Sequence, residues 1–225
     1  MICLLEKFQH LYSKQEYNRK RCEINAHVQA GSGNDWFWLL CVIFIVFGTR
    51  NMRNIEIKAR VDNLIEFLAK VKNISDTEET VIPQKDIFFN LPADRPGRLK
   101  LRKYKDGSGD LVYYNRPDTE GPKLSNFEKT FLTPDACNGI EQILSTAYGT
   151  LGIVEKVRLL YLVGQTRIHV DEVTGLGSFM ELEVVLSDND SIEHGEQISK
   201  DLMEKLGITK DSLISGAYMD LLLKK

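Results

Sequence analysis

Residues 54–60, NIEIKAR, put Asn54, Glu56, Lys58 and Arg60 at alternate positions, with Ile55, Ile57 and Ala59 between them. In a β-strand this spacing sends the polar set to one face and the apolar set to the other. The alternation recurs downstream. Arg98, Lys100 and Arg102 oppose Leu99 and Leu101, and Lys156 and Arg158 oppose Val157 and Leu159. Arg167, His169 and Asp171 oppose Ile168 and Val170, while Glu181 and Glu183 oppose Met180, Leu182 and Val184. Arg116 and Lys129 lie in runs too short to fix a face. Lysines and arginines converging on one space repel one another and require an anion, and a set of this size suits a polyanion such as a triphosphate. Carboxylates among them, at Glu56, Glu181 and Glu183, suit Mg2+ or Mn2+, hard cations that share oxygen ligands with phosphates.

Convergence of this kind needs a scaffold. The chain reads as strands and helices in an order compatible with antiparallel pairing: a strand from Asn54, a helix capped by Asp62 and running to about Lys72, then strands in TVIPQKDIFFN and GRLKLRKYK. DGSGD at 106–110 is a hairpin turn leading to LVYYNRPD and then SNFEKTFLT, and Pro134 and Asp135 open a second helix to about Tyr148. Strands LGIVEKVRLLYLV, QTRIHVDEV and SFMELEVVL follow, and helices from about Ser191 to Leu206 and through AYMDLLLKK close the chain. Leu64, Ile65, Leu68 and Val71 form the apolar stripe of the first helix. Two packings remain open: charged faces outward around an apolar interior, or charged faces inward around a ligand cavity with helices covering an apolar outside. The helical stripes need an apolar surface to cover, and so the expectation is an α+β fold, a closed eight-stranded antiparallel β-barrel with helices packed outside.

Composition fits a soluble globular protein: 43% hydrophobic, 27% charged, net charge −3. That charge argues against a general nucleic-acid-binding surface and makes any anion site local. Cys3, Cys22, Cys41 and Cys137 form no CxxC pair, which implies neither a disulfide framework nor a zinc site and makes a cytoplasmic location the default. Residues 1–51 read as an extension outside the functional fold of 52–225. They contain a basic stretch, Arg19-Lys20-Arg21, and the apolar run WFWLLCVIFIVF at 36–47, shorter than the roughly 20 residues of a spanning helix. Membrane contact is expected only where that segment is retained, and translation from Met52 would lose no motif.

The motifs N-x-E-x-K-x-R from Asn54, K-L-R at 100–102, Y-x-R-P-D at 114–118, K-x-R at 156–158 and R-x-H-x-D-x-V-x-x-L-G-x-F-x-E-x-E from Arg167 to Glu183 together resemble the CYTH superfamily. That family of triphosphate tunnel metalloenzymes comprises class IV adenylyl cyclases, thiamine triphosphatases and inorganic triphosphatases. The resemblance covers about residues 53–220 and leans toward the class IV cyclase branch in its K-A-R; Asn54 replaces the first Glu of the usual E-x-E-x-K. It implies Glu56, Glu181 and Glu183 as ligands of Mg2+ or Mn2+, and Lys58, Lys100, Arg102, Arg116, Lys156 and Arg158 as the triphosphate clamp. It further implies Lys58, Arg167 and Asp171 as catalytic, with Asp171 orienting Arg167 or joining the metal's outer shell, and His169 as a network residue. The expected activity is metal-dependent hydrolysis of a triphosphate-containing small molecule such as tripolyphosphate, ATP or thiamine triphosphate. Cyclisation of ATP to cyclic AMP and pyrophosphate is the alternative, and a non-catalytic polyphosphate or nucleotide binder the third. Both Trp residues precede residue 52, leaving Tyr113, Tyr114 and Tyr218 to stack a base or ring.

Overall fold

The computed structural model describes residues 52–225, so the apolar run at 36–47 and every expectation placed on residues 1–51 lie outside the described residues. The elements are β1 (Met52–Arg60), α1 (Leu64–Ile74), β2 (Thr80–Phe89), β3 (Arg98–Lys103), β4 (Gly109–Asn115), β5 (Lys123–Leu132), α2 (Pro134–Tyr148), β6 (Thr150–Val163), β7 (Thr166–Val173), β8 (Gly177–Leu186), α3 (Ile192–Leu206) and α4 (Tyr218–Leu223). The strands close into one barrel in the order β1-β5-β4-β3-β2-β6-β7-β8. Every adjacent pair is antiparallel, as short connections permit. Gly107, at φ +83°, supplies the left-handed residue of the β3–β4 hairpin.

Where helices cover it, the barrel wall is buried on both faces, and the two faces differ in kind; Val81, Phe131, Ile153 and Val157 on β2, β5 and β6 remain exposed. Ile57 and Ala59 of β1, Ile168 and Val170 of β7 and Met180 and Leu182 of β8 point outward and pack under Phe67 and Val71 of α1 and Leu202 and Leu206 of α3. Ile87, Phe89 and Leu101 pack under Cys137 of α2. Each fully buried aliphatic side chain contributes about 1.5–3 kcal/mol, so the outer layer supplies the hydrophobic stabilisation that a charged interior cannot. Helix α3 sits so close that a Cβ on Gly195 would lie 2.8 Å from Ile55. The opposite arrangement, with charged faces turned to solvent, is thereby excluded for β1, β7 and β8.

Two local expectations shift. Asn63, not Asp62, is the N-cap of α1, its side chain accepting from the Glu66 N–H at 3.2 Å. Ile65 is 84% exposed. The packed stripe instead runs through Phe67 and Val71, with Leu64 and Leu68 partly buried beside them, because positions three and four apart share a face and Ile65 falls to its edge. Among the described residues no helix is long and apolar enough to cross a membrane.

Candidate active site

The lumen has a basic half and an acidic half. On the basic side, β2, β3 and β6 bring Lys100, Arg102 and Lys156 around one carboxylate, Asp86. Arg102 donates through Nε and Nη2 at 2.7 and 2.8 Å, Lys100 at 3.0 Å and Lys156 at 3.4 Å. Burial alone would push the Asp86 carboxyl up, but Arg102, Lys100 and Lys156 outweigh it and hold Asp86 well below the usual carboxylate range. The three cations remain in excess of the anion. Burial and the Arg102 guanidinium lower Lys100 to about 7, against the opposing pull of Asp86, and burial lowers Lys156 as well. Arg102 is also opposite Asp110 on β4, which accepts from the Tyr104 hydroxyl at 2.6 Å and faces Lys129 at 3.6 Å.

On the acidic side, β1, β7 and β8 lie adjacent, and their register sets Glu56 opposite Glu183, Lys58 opposite Glu181, and His169 opposite Glu181. His169, Glu181 and Glu183 each offer a ligand atom within 4.8 Å of the others. His169 Nδ1 lies 3.6 Å from Glu181 and 3.7 Å from Glu183, and among the described residues it has no hydrogen-bond partner. Burial and then Arg158 push the imidazole below its ordinary pKa, against the pull of Glu183 and Glu181. Glu56 stands beside this cluster. Burial, reinforced by Glu181 and Glu183 and opposed by Arg116, raises its pKa. An imidazole nitrogen lacking a partner, flanked by carboxylates that repel one another, is a donor set that fits a divalent cation. Cations hold the same acids in place: Glu181 accepts from Lys58 and from Arg158 at 2.6 Å, Glu183 from Arg167 at 2.9 Å, and Glu56 from Arg116.

Glu56, Lys58, Lys100, Arg102, Arg116, Lys156, Arg158, Arg167, Asp171, Glu181 and Glu183 all enter these ion-pair networks, whereas Arg60 is exposed and the Tyr113 hydroxyl donates to the Pro96 carbonyl at the surface; the pairings could not be read from local spacing. Asp171 does not orient Arg167. It accepts from Arg158 Nε and Nη2 at 2.7 and 2.6 Å, the cross-strand neighbour that the β6–β7 register places opposite it, while Arg167 belongs to Glu183. Arg116 follows the last residue of β4, and its guanidinium turns in to Glu56 and to the Gly216 carbonyl at 2.9 Å. Asp86, Asp110 and Lys123 escaped sequence reading. Asp86 is the lone charge on the inner face of β2, Asp110 is buried opposite Arg102 on β4, and Lys123 is buried opposite Glu56 on β5. Tyr218, expected as a ring for stacking, comes from the C-terminal segment: its ring lies 3.5 Å from the Lys58 ammonium and 5.1 Å from that of Lys156, and its hydroxyl donates to Asp171 at 3.0 Å. None of the three missed residues carries an alternating charge pattern on its own strand.

Comparison with known proteins agrees with this architecture. The Methanocaldococcus jannaschii protein named "Putative adenylate cyclase MJ0240" is 28% identical over 183 residues, covering 76% of this chain and 98% of that protein. Adenylate cyclase CyaB of Aeromonas hydrophila is 26% identical over 141 residues, 61% of this chain and 71% of that protein. The solved structure of the PH1012 protein from Pyrococcus horikoshii OT3 superposes with a TM-score of 0.61 at 26% identity, covering 75% of this chain and 98% of that one. The CYTH domain matches residues 52–218, most of the chain, and the chain therefore belongs to the CYTH domain family.

Proposed function

We propose that the protein is a metal-dependent phosphohydrolase acting on a triphosphate-containing small molecule inside the barrel. The observation that carries this reading is the division of one enclosed lumen into a cation-rich wall and a carboxylate–imidazole wall, the complement of a metal–polyphosphate pair. Lys100, Arg102 and Lys156 would neutralise phosphoryl oxygens from one side, and Arg116, Arg158 and Lys58 from the other, each as a charge-assisted donor. Glu56, Glu181, Glu183 and His169 would hold Mg2+ or Mn2+. When bound, such an ion lowers the pKa of water and offsets charge on phosphoryl oxygens. Arg167 fixes Glu183, and Asp171 fixes Arg158, so that both walls keep their aim through the reaction. The buried, low-dielectric setting strengthens each of these interactions on the charge that develops in the transition state.

Cyclisation of ATP is the second reading. It is favoured by the names of the Methanocaldococcus and Aeromonas relatives, both adenylate cyclases by name. The same walls would serve it, with the ribose 3′-hydroxyl attacking the α-phosphate and pyrophosphate leaving. The two differ in which phosphorus lies in line with the nucleophile. Incubation with tripolyphosphate, ATP and thiamine triphosphate in Mg2+ or Mn2+, with products identified, separates them. Orthophosphate release supports hydrolysis, cyclic AMP with pyrophosphate supports the cyclase, and no turnover of any of the three overturns both.

A further inference from the structure

The basic wall is organised by a carboxylate that the family motifs quoted above do not include. Asp86 is 1% exposed, and strands on either side of β2 supply its partners: Lys100 and Arg102 from β3 and Lys156 from β6. Its two oxygens take four donor contacts. An ammonium has three donors and a guanidinium five, so each cation spends only part of its capacity on Asp86 and keeps the rest for a ligand. Lys156 also lies 3.9 Å from Asp171, but the three positive groups still outnumber the carboxylate they share, a surplus that an added anion can match. Without a fixed anion among them, the three cations would repel one another and swing apart.

Resting on the reading of the lumen as a triphosphate site, we infer that Asp86 is a positioning residue, a built-in counter-ion that holds Lys100, Arg102 and Lys156 charged and aimed at the lumen. It need not displace phosphate from the clamp, because Arg102 gives it Nε and one Nη and keeps its other N–H donors, as each ammonium does. The group most exposed to its loss is Lys100. The charged and titratable groups facing Lys100 are Asp86 on β2, Arg102 on its own strand and Lys156 on β6; the rings of Phe88 and Tyr114 lie at 5.6 Å. Of the charged groups, Asp86 alone favours the ammonium; the two ring faces add a weaker attraction.

The test pairs two readouts on the full-length chain, wild type and Asp86→Asn. The first follows the Lys100 side chain by NMR through a pH titration. Removing an opposite charge at hydrogen-bond distance is expected to move its midpoint down by about one unit or more, with Asp86→Glu restoring it in part. The second measures tripolyphosphate binding in chelator, where Asp86→Asn is expected to lose about tenfold at neutral pH and to recover toward wild type as the pH is lowered. An unchanged Lys100 midpoint overturns the inference, as does tighter tripolyphosphate binding by Asp86→Asn at every pH, which would make the carboxylate a competitor. If Asp86→Asn fails to fold, Asp86→Asn combined with Lys156→Met, which returns the surplus of positive charge to its wild-type size, should restore the fold; failure of both overturns the counter-ion role. If the wild type binds no tripolyphosphate while the Lys100 midpoint still shifts, the counter-ion role stands and the triphosphate reading falls.

Discussion

The two halves of the lumen balance buried charge in different ways. Around Asp86, three cations share one anion, and burial drags Lys100 down to about 7. Around His169, the carboxylates of Glu56, Glu181 and Glu183 crowd together but each is paired, Glu56 with Arg116, Glu181 with Lys58 and Arg158, and Glu183 with Arg167; the pKa of Glu56 rises while Lys58 and Arg158 pull Glu181 down against its burial. A buried charge without its counter-charge costs several kcal/mol, so the second wall is held by ion pairs while the first keeps a surplus. Under the proposed function, a polyphosphate would offset the surplus of the first wall and a metal ion would sit among the carboxylates of the second.

The largest break in that comparison should come from the acidic wall. Glu181→Gln and Glu183→Gln preserve volume and hydrogen bonding but remove charge, so turnover should fall by at least about two orders of magnitude while tripolyphosphate binding in chelator survives or tightens. Steady-state rates beside binding isotherms check this; parallel loss of rate and metal-free binding would mean that the acids serve the anion rather than a metal. On the basic wall, Lys100→Met or Arg102→Gln should weaken tripolyphosphate by about tenfold. Lys72→Met is the control: that side chain is 58% exposed and pairs with Glu79 on the surface, and its loss should leave affinity unchanged in the same calorimetric titration.

The basic wall also sets a pH dependence. Lys100 titrates near 7 in the folded protein and near the ordinary lysine value of about 10.4 when unfolded. The folded protein therefore bears the full cost of the buried ammonium below pH 7, and this cost fades as pH rises toward the unfolded value. Tripolyphosphate binding needs the ammonium and runs the other way, weakening as pH rises through 7 and taking up a proton. Calorimetry in buffers of different ionisation enthalpy measures that proton, and Lys100→Arg should abolish the uptake while keeping the affinity.

The smallest effect is expected at Asn54, buried on the inner face of β1 with Oδ1 lacking a hydrogen-bond partner among the described residues. Asn54→Glu adds an acid two residues from Glu56 on the same face. It should lower the melting temperature in chelator and tighten Mn2+ modestly, so that the ion restores the lost stability. A melting temperature insensitive to Mn2+ in this variant would separate Asn54 from the metal-binding wall.

How much of this was legible in the sequence follows from period-two alternation. On β1, β3, β7 and β8 charges repeat at every second residue, so the inner face announced itself, and the helices' apolar stripes indicated that the other face was covered. β2 carries a single inner charge, Asp86, in QKDIFF, where Lys85 next to it points outward, and one charge has no period. Cross-strand register is equally invisible to local spacing: Asp171 reaches Arg158 rather than Arg167 because β6 and β7 pair at those positions, whereas Arg167, four residues away on the same strand, lies about 13 Å along it. Tyr218 reaches the lumen through a C-terminal segment tied to β1 by the Ile214 N–H to Lys58 carbonyl bond at 2.9 Å, a tertiary contact across most of the chain.

The central claim, that a polyphosphate on one wall and a metal ion on the other bind the lumen as a coupled pair, is tested most directly by titrating Mn2+ with and without tripolyphosphate and following free Mn2+ by electron paramagnetic resonance. Because coupling between two ligands is reciprocal, tripolyphosphate should tighten protein-bound Mn2+ by the same factor by which Mn2+ tightens tripolyphosphate, after correction for the complex they form in solution. That factor should collapse in both Glu181→Gln and Lys100→Met. Independent binding, with neither ligand altering the affinity of the other, would contradict the account.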